Sequence, residues 1–234
     1  MAKDGDGVVR LIRTGSDGGG LCSGALVSRQ HVLTAAHCVV KVDAHKELTE
    51  SIISAGEIHV ELGGDYLPWG RVGVVKIRAC EEYKDDLEHD IAMLTLSSPV
   101  PEDAPIFELS YDVPEEAGIF QLGGYGTREK RSIVDWGPAF QSKRHMVKGP
   151  VLALWNDRVM IQAPGIPGDS GGPIVDTATG KIVSVVSRGR SGHEDQSEPT
   201  PLKSGQKEPD PLVGGPRLGS CKNTIVAALQ NRPR

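Results

Sequence analysis

Gly168-Asp169-Ser170-Gly171-Gly172-Pro173 sets one hydroxyl between glycines in a chain of 234 residues. Glycines on both sides allow a tight turn, in which the N–H groups of Gly168 and Ser170 can converge on one oxyanion. A hydroxyl alone is a weak nucleophile: it needs a base within hydrogen-bond reach and a third group to orient that base. Without those partners a serine between glycines is an ordinary turn residue. The hexapeptide therefore decides the fold only together with a histidine and a carboxylate elsewhere.

Both partners are present. Leu33-Thr34-Ala35-Ala36-His37-Cys38 carries a histidine, and Asp90-Ile91-Ala92-Met93-Leu94-Thr95-Leu96 opens an apolar strand with an aspartate. The order His, Asp, Ser differs from that of subtilisin-like and hydrolase-fold enzymes. At these residues the chain resembles the trypsin/chymotrypsin family of serine peptidases. Val8-Val9-Arg10-Leu11-Ile12, Leu21-Cys22-Ser23-Gly24-Ala25-Leu26-Val27 and the tail from Thr224 to Leu229 extend the similarity over most of the chain.

The resemblance implies an all-β fold of two antiparallel six-stranded barrels, with a cleft between them and a C-terminal helix closing back on the first. Residues 1–234 would form one peptidase domain. Within it, residues 1–103 make the first barrel with His37 and Asp90, residues 104–220 the second with Ser170, and residues 221–234 the helix and tail. The implied activity is endopeptidase hydrolysis. Ser170 would be the nucleophile, His37 the general base, Asp90 its orienting carboxylate, and Gly168 and Ser170 the oxyanion donors. The expected partner is a protein or peptide substrate, the expected state a monomer, and no cofactor is required. A catalytically silent or partner-activated binding module on the same scaffold is the alternative.

Composition agrees with a chain of short strands and turns. Aromatics make up 4%, with 29 glycines and 16 prolines, while an apolar fraction of 38% supports a core. The net charge of −5 is spread along the chain and argues against nucleic acid as a partner. Arg128, Lys130 and Arg131 read as an exposed loop. No segment has the length and apolarity of a membrane-spanning helix.

Alternation and β-branched residues predict strands at Val8 to Ile12, Ser23 to Ser28, His31 to Thr34, Ile58 to Leu62, Arg71 to Ala79 and Ile91 to Leu96. The second half repeats the pattern at Ile119 to Gly123, Gly149 to Leu154, Arg158 to Gln162, Pro173 to Asp176 and Lys181 to Ser187. Ala35 to Val39 reads as a short helical turn, the proline-rich 99–105 as the crossing, and Cys221 to Gln230 as a helix. Arg188 to Pro211, rich in Ser, Gly, Pro and charge, reads as a mobile surface loop.

Further expectations follow from the resemblance. Cys22 and Cys38 bracket the histidine turn and match a family disulfide, and Cys80 with Cys221 would clamp the helix to the first barrel. Ser187-Arg188-Gly189 is similar to the substrate-pairing strand whose glycine opens the specificity pocket, and Pro164 stands where trypsin-like enzymes carry the aspartate that recognises Lys or Arg. A simple trypsin pocket is therefore not expected. Glu194, Asp195 or Glu198 could supply a negative charge instead, or Arg188 could favour acidic side chains. In many relatives the acid corresponding to Asp169 pairs with an N-terminal amine; no Ile-Val-Gly-Gly-like stretch precedes the strand at Val8, so the Asp169 loop is expected to be held by other contacts or by a partner.

The remaining histidines, His31, His45, His59, His89, His145 and His193, sit in no motif and receive no role. Glu57, Glu61 and Asp65 lack the spacing of a calcium loop, and no metal site is expected. The polar segment 1–7 carries no signal-peptide core. The compartment is then extracellular or periplasmic if a leader lies upstream, as the cysteines favour, or cytoplasmic if Met1 is the native start.

Overall fold

Val-Val-Arg-Leu-Ile-Arg is buried along most of its length, because this strand has one half of the molecule on each side. In the computed structural model, Val9 and Leu11 enter the first core, while the Arg10 guanidinium stacks 4.6 Å from the ring centroid of Tyr125 in the second half. The structure describes residues 6–14, 20–42, 48–65, 68–84, 88–115, 118–126, 143–155, 157–190 and 212–230.

The first half is a closed barrel. Its strands are β1 (Val8–Arg13), β2 (Gly20–Ser28) and β3 (His31–Thr34), followed after a side hairpin of β4 (Val40–Val42) and β5 (Leu48–Ile52) by β6 (Ile58–Leu62), β7 (Gly70–Ala79) and β8 (Ala92–Leu96). Around the barrel the order is β1-β2-β3-β8-β7-β6, all antiparallel. Leu26, Val32, Leu33, Val60, Leu94 and Leu96 fill it and are essentially inaccessible to water. Burying one such side chain contributes about 1.5–3 kcal/mol.

The second half departs from a closed six-stranded barrel. Its strands β9 (Ile119–Gly124), β10 (His145–Trp155), β11 (Arg158–Ile161), β12 (Pro173–Asp176), β13 (Ile182–Val185), β14 (Arg188–Arg190) and β15 (Leu212–Pro216) form one seven-stranded sheet, ordered β13-β12-β9-β10-β11-β15-β14. The sheet curls into a half-barrel, with a bridge between Ser184 and Arg217 linking β13 to the residue after β15. Phe120, Leu122, Val159, Ile161, Ile174, Val183 and Val213 make its core.

Several segments read differently in three dimensions. The side hairpin β4–β5 and the strand β15 lie outside the predicted set, being too short or too glycine-rich to show alternation, and β14 agrees with the resemblance of Ser187-Arg188-Gly189 to a substrate-pairing strand rather than with a loop starting at Arg188. Arg188, Gly189 and Arg190 form β14, paired with Gly214, Val213 and Leu212, and so do not begin a loop. Strand β10 starts at His145, ahead of Gly149. The rest of the expected loop, 191–211, lies outside the described residues, as do Glu194, Asp195, Glu198, His45, His193 and the basic cluster at 128–131.

After a 3-10 turn at Leu218–Cys221 the chain ends in α1 (Lys222–Gln230), with Thr224, Ile225 and Ala228 buried. Ile225 and Ala228 join the first core, so the helix does close back on the first barrel. Both expected disulfides are present: Cys22–Cys38 and Cys80–Cys221, the latter joining the end of β7 to the start of α1. No described helix is long and apolar enough to cross a membrane.

Candidate active site

Strands β3 and β8 are antiparallel neighbours with Thr34 opposite Ala92, so the residue three after one strand partner and the residue two before the other reach the same rim. These are His37, on the 3-10 turn Ala36–Cys38, and Asp90. The His37 backbone N–H donates to Asp90 Oδ1 at 2.8 Å, and Nδ1 lies 2.7 Å from Oδ2. A carboxylate has no proton to give, so Nδ1 carries the hydrogen, and in the neutral form of the ring the lone pair sits on Nε2.

A third donor completes Asp90. The Ser187 hydroxyl reaches Oδ2 at 2.5 Å. The Asp90 side chain is only 3% exposed. Burial alone would raise its pKa, but hydrogen bonds from His37 and Ser187 and the charge of His37 outweigh it, and the net shift is downward.

Ser170 arrives from the other half on the turn before β12. Its carbonyl accepts from Ser23 N–H at 2.7 Å and lies 3.6 Å from Cys38 Sγ, which sets the residue against the His37 turn. Gly168 holds a φ of +101° and Gly171 one of +80°, the region that favours glycine. Among the described residues the N–H groups of Gly168 and Ser170 have no acceptor. Both donors are thus available to a ligand. The Ser170 hydroxyl and His37 Nε2 are not hydrogen-bonded to each other here; such contacts commonly tighten only when substrate binds.

Two residues that the sequence reading left without a role hold this turn. Ser23 of β2 is fully buried; its hydroxyl donates to the Gly168 carbonyl at 2.7 Å and accepts from Tyr125 N–H at 2.9 Å. The other is His145, assigned nothing because no local motif surrounds it. Its Nε2 lies 2.9 Å from Asp169 Oδ1 and 3.0 Å from Oδ2. Asp169 therefore has a partner within the chain. Glycine supplies the signal that could have led there: a Cβ on Gly124 would fall 2.2 Å from Asp169 Oδ1 and one on Gly126 would fall 2.6 Å away, so Gly123-Gly124-Tyr125-Gly126 leaves room for a buried carboxylate.

Of the expected substrate-contacting residues, Ser187 is buried and turned to Asp90, whereas Arg188 and Gly189 are exposed on β14. Pro164 precedes Gly165, and the Val213 side chain lies close to both Gly165 and Gly189. A Cβ on Gly165 would come within 2.9 Å of Val213 Cγ2, and one on Gly189 within 3.2 Å.

Cys22, His37 and Cys38 bring their ligand atoms within 4.8 Å of one another. The two sulfurs are bonded to each other, so neither is a thiolate able to bind a metal. Glu57 caps Ser54, Glu61 is held by Arg10 and Arg71, and Asp65 by Arg144.

Solved structures share this architecture. A Glu endopeptidase superposes with a TM-score of 0.71 at 16% identity, covering 96% of this chain and 91% of its own. A thermostable serine protease, AL20, from an extremophilic microorganism gives 0.69 at 18% identity, covering 97% and 99%. A scabies mite inactivated protease paralogue, S-I1, gives 0.67 at 19% identity, covering 97% and 95%. The family model described as Trypsin matches residues 2–202, and with that match the chain belongs to the trypsin family.

Proposed function

We propose that the protein is a serine endopeptidase acting through His37, Asp90 and Ser170. The observation that carries the reading is the doubly hydrogen-bonded His37–Asp90 pair at the barrel rim, with the Ser170 turn packed against it and two backbone donors beside the hydroxyl. Trypsin family membership supports a peptidase and hence protein or peptide substrates.

In this reading Ser170 Oγ attacks the substrate carbonyl carbon while its proton passes to His37 Nε2. The resulting oxyanion takes the N–H groups of Gly168 and Ser170, worth about 3–4 kcal/mol per donor at such sites. His37 returns the proton to the leaving amine, and the acyl-enzyme forms. Water, deprotonated by the same imidazole, then releases the acid. Asp90 stays ionised throughout and holds the tautomer.

Val213 sets the substrate preference. In this reading it is paired with Gly189 across β14 and β15 and adjacent to Gly165, at the place where the family resemblance puts the specificity pocket. A pocket filled from below by a valine admits a small apolar side chain and excludes long cationic or aromatic ones. The two disulfides are consistent with an extracellular or periplasmic protein.

A silent scaffold is the competing reading, favoured by the unmade Ser170–His37 hydrogen bond. Incubation of the purified chain with a denatured protein substrate separates the two. Fragments produced by the wild type and absent with Ser170→Ala support the peptidase; an intact substrate with both supports the scaffold.

A further inference from the structure

Asp169 is fully buried next to Ser170, and a carboxylate in that position needs hydrogen bonds on both oxygens and a nearby positive charge. The backbone supplies part of this: Gly126 N–H donates to Oδ1 at 2.9 Å, and Ile166 N–H donates to Oδ2 at 3.0 Å. The cation comes from His145, whose Nε2 is within hydrogen-bond distance of both oxygens.

The placement of His145 is fixed from several sides. It is the first residue of β10 and pairs with Gly124, whose missing Cβ makes room for Asp169. The residue before it, Arg144, is 4% exposed in its side chain and bridges Asp6 at 2.7 Å and Asp65 at 2.8 Å. Two consecutive residues where β10 begins thus tie down the first half of the molecule, through Arg144, and the Ser170 turn, through His145.

We infer that His145 is a positioning residue of the candidate active site: it holds Asp169, and through Asp169 the backbone donors of Gly168 and Ser170, as a cation built into a strand. This rests on the peptidase reading for its catalytic consequence, though not for the pair itself.

The charge on the imidazole follows from its surroundings. Burial lowers its pKa, but the hydrogen bond and charge of Asp169, with a backbone hydrogen bond at Lys143, more than offset that, and the pKa is raised above the ordinary value. Other charges around it are accounted for. Arg144 is matched by Asp6 and Asp65, Lys143 is exposed, and Tyr125 is kept neutral by a pKa pushed up to about 12. A raised histidine pKa means that the cation is fully present below the ordinary value near 6.5 and is lost as pH rises through the folded value. Order in the Ser170 turn therefore weakens on the alkaline side.

Two measurements on the full chain test this. Imidazole NMR titration of Ser170→Ala, with the His145 signals assigned by their loss in His145→Arg, should give a pKa above ~6.5 that falls when Asp169→Asn is added. A value at or below ~6.5, unmoved by Asp169→Asn, overturns the proposal. In parallel, the rate of labelling by a fluorophosphonate is followed against pH. His145→Ala should slow it by up to ~10²-fold, the scale of one lost oxyanion donor, and His145→Arg should restore much of the rate and remove the alkaline decline. His145→Ala labelling at the wild-type rate with the same pH profile overturns the proposal. Absence of labelling in the wild type at every pH defeats the peptidase reading instead, and the NMR titration then decides the His145–Asp169 pair alone.

Discussion

His37 and Asp90 are joined twice, by the backbone N–H to Oδ1 at 2.8 Å and by Nδ1 to Oδ2 at 2.7 Å. The double contact fixes both the position of the turn and the tautomer of the ring. Replacing the carboxylate by an amide would offer Nδ1 a donor in place of an acceptor and turn the lone pair away from Ser170. Asp90→Asn should retain the fold and lower kcat by about 10⁴-fold. Peptide hydrolysis checks this, with circular dichroism to verify folding.

The same pair makes stability depend on acid. The pKa of Asp90 is lowered in the folded state, so its contribution is present above the unfolded carboxylate pKa of about 4 and is lost as pH falls through the folded value. Thermal unfolding of Ser170→Ala and of the Ser170→Ala, Asp90→Asn double variant should therefore differ most at neutral pH. The gap should close below about pH 4. A gap that widens in acid contradicts the assignment.

Ser23 links the two halves through one hydroxyl, with Gly168 accepting and Tyr125 donating. Ser23→Ala leaves a buried carbonyl and a buried N–H without partners, at a cost of about 1–3 kcal/mol each. The turn that carries Gly168 loosens with them. Ser23→Ala should lower both the unfolding free energy and kcat, whereas Ser23→Thr, which keeps the hydroxyl, should be milder in kcat.

The two disulfides close loops of very different size, with separations of 16 and 141 residues. Chain entropy assigns about 3 kcal/mol to the shorter and about 5 kcal/mol to the longer. Denaturant unfolding of the paired Cys→Ser variants should rank Cys80/Cys221 as the more costly loss, because it also frees α1 from the end of β7.

Val213 gives a prediction for substrate choice. Val213→Gly should open the slot between Gly165 and Gly189 and raise kcat/KM for peptides with a large apolar side chain before the cleaved bond by roughly tenfold or more relative to alanine. A peptide library profiled with both proteins reads this directly. An unchanged preference would place the pocket elsewhere.

Legibility followed the range of the interactions. The first barrel was readable because its strands are short runs rich in apolar and β-branched residues, continuously buried in β3 and β8, and because His37, Asp90 and Ser170 sit in local motifs. The side hairpin and β15 were not readable, since Leu212–Pro216 reads as a glycine-rich turn, and the three residues of β14 show no period, so only the family resemblance of Ser187-Arg188-Gly189 pointed to that strand. His145 escaped for a different reason. Nothing in sequence spacing connects residue 145 with residue 169; the link runs through the β9–β10 register and the space left by Gly124 and Gly126. Ser23 was visible only as part of a matching string, because its two partners lie 145 and 102 residues away.

The central claim is that Ser170 is an activated nucleophile. Intact-mass analysis after treatment with a fluorophosphonate tests it most directly. The account predicts one adduct per chain, located on Ser170, that is lost in Ser170→Ala and strongly reduced in His37→Ala. A wild-type chain that stays unmodified, or an adduct that persists in Ser170→Ala, contradicts it.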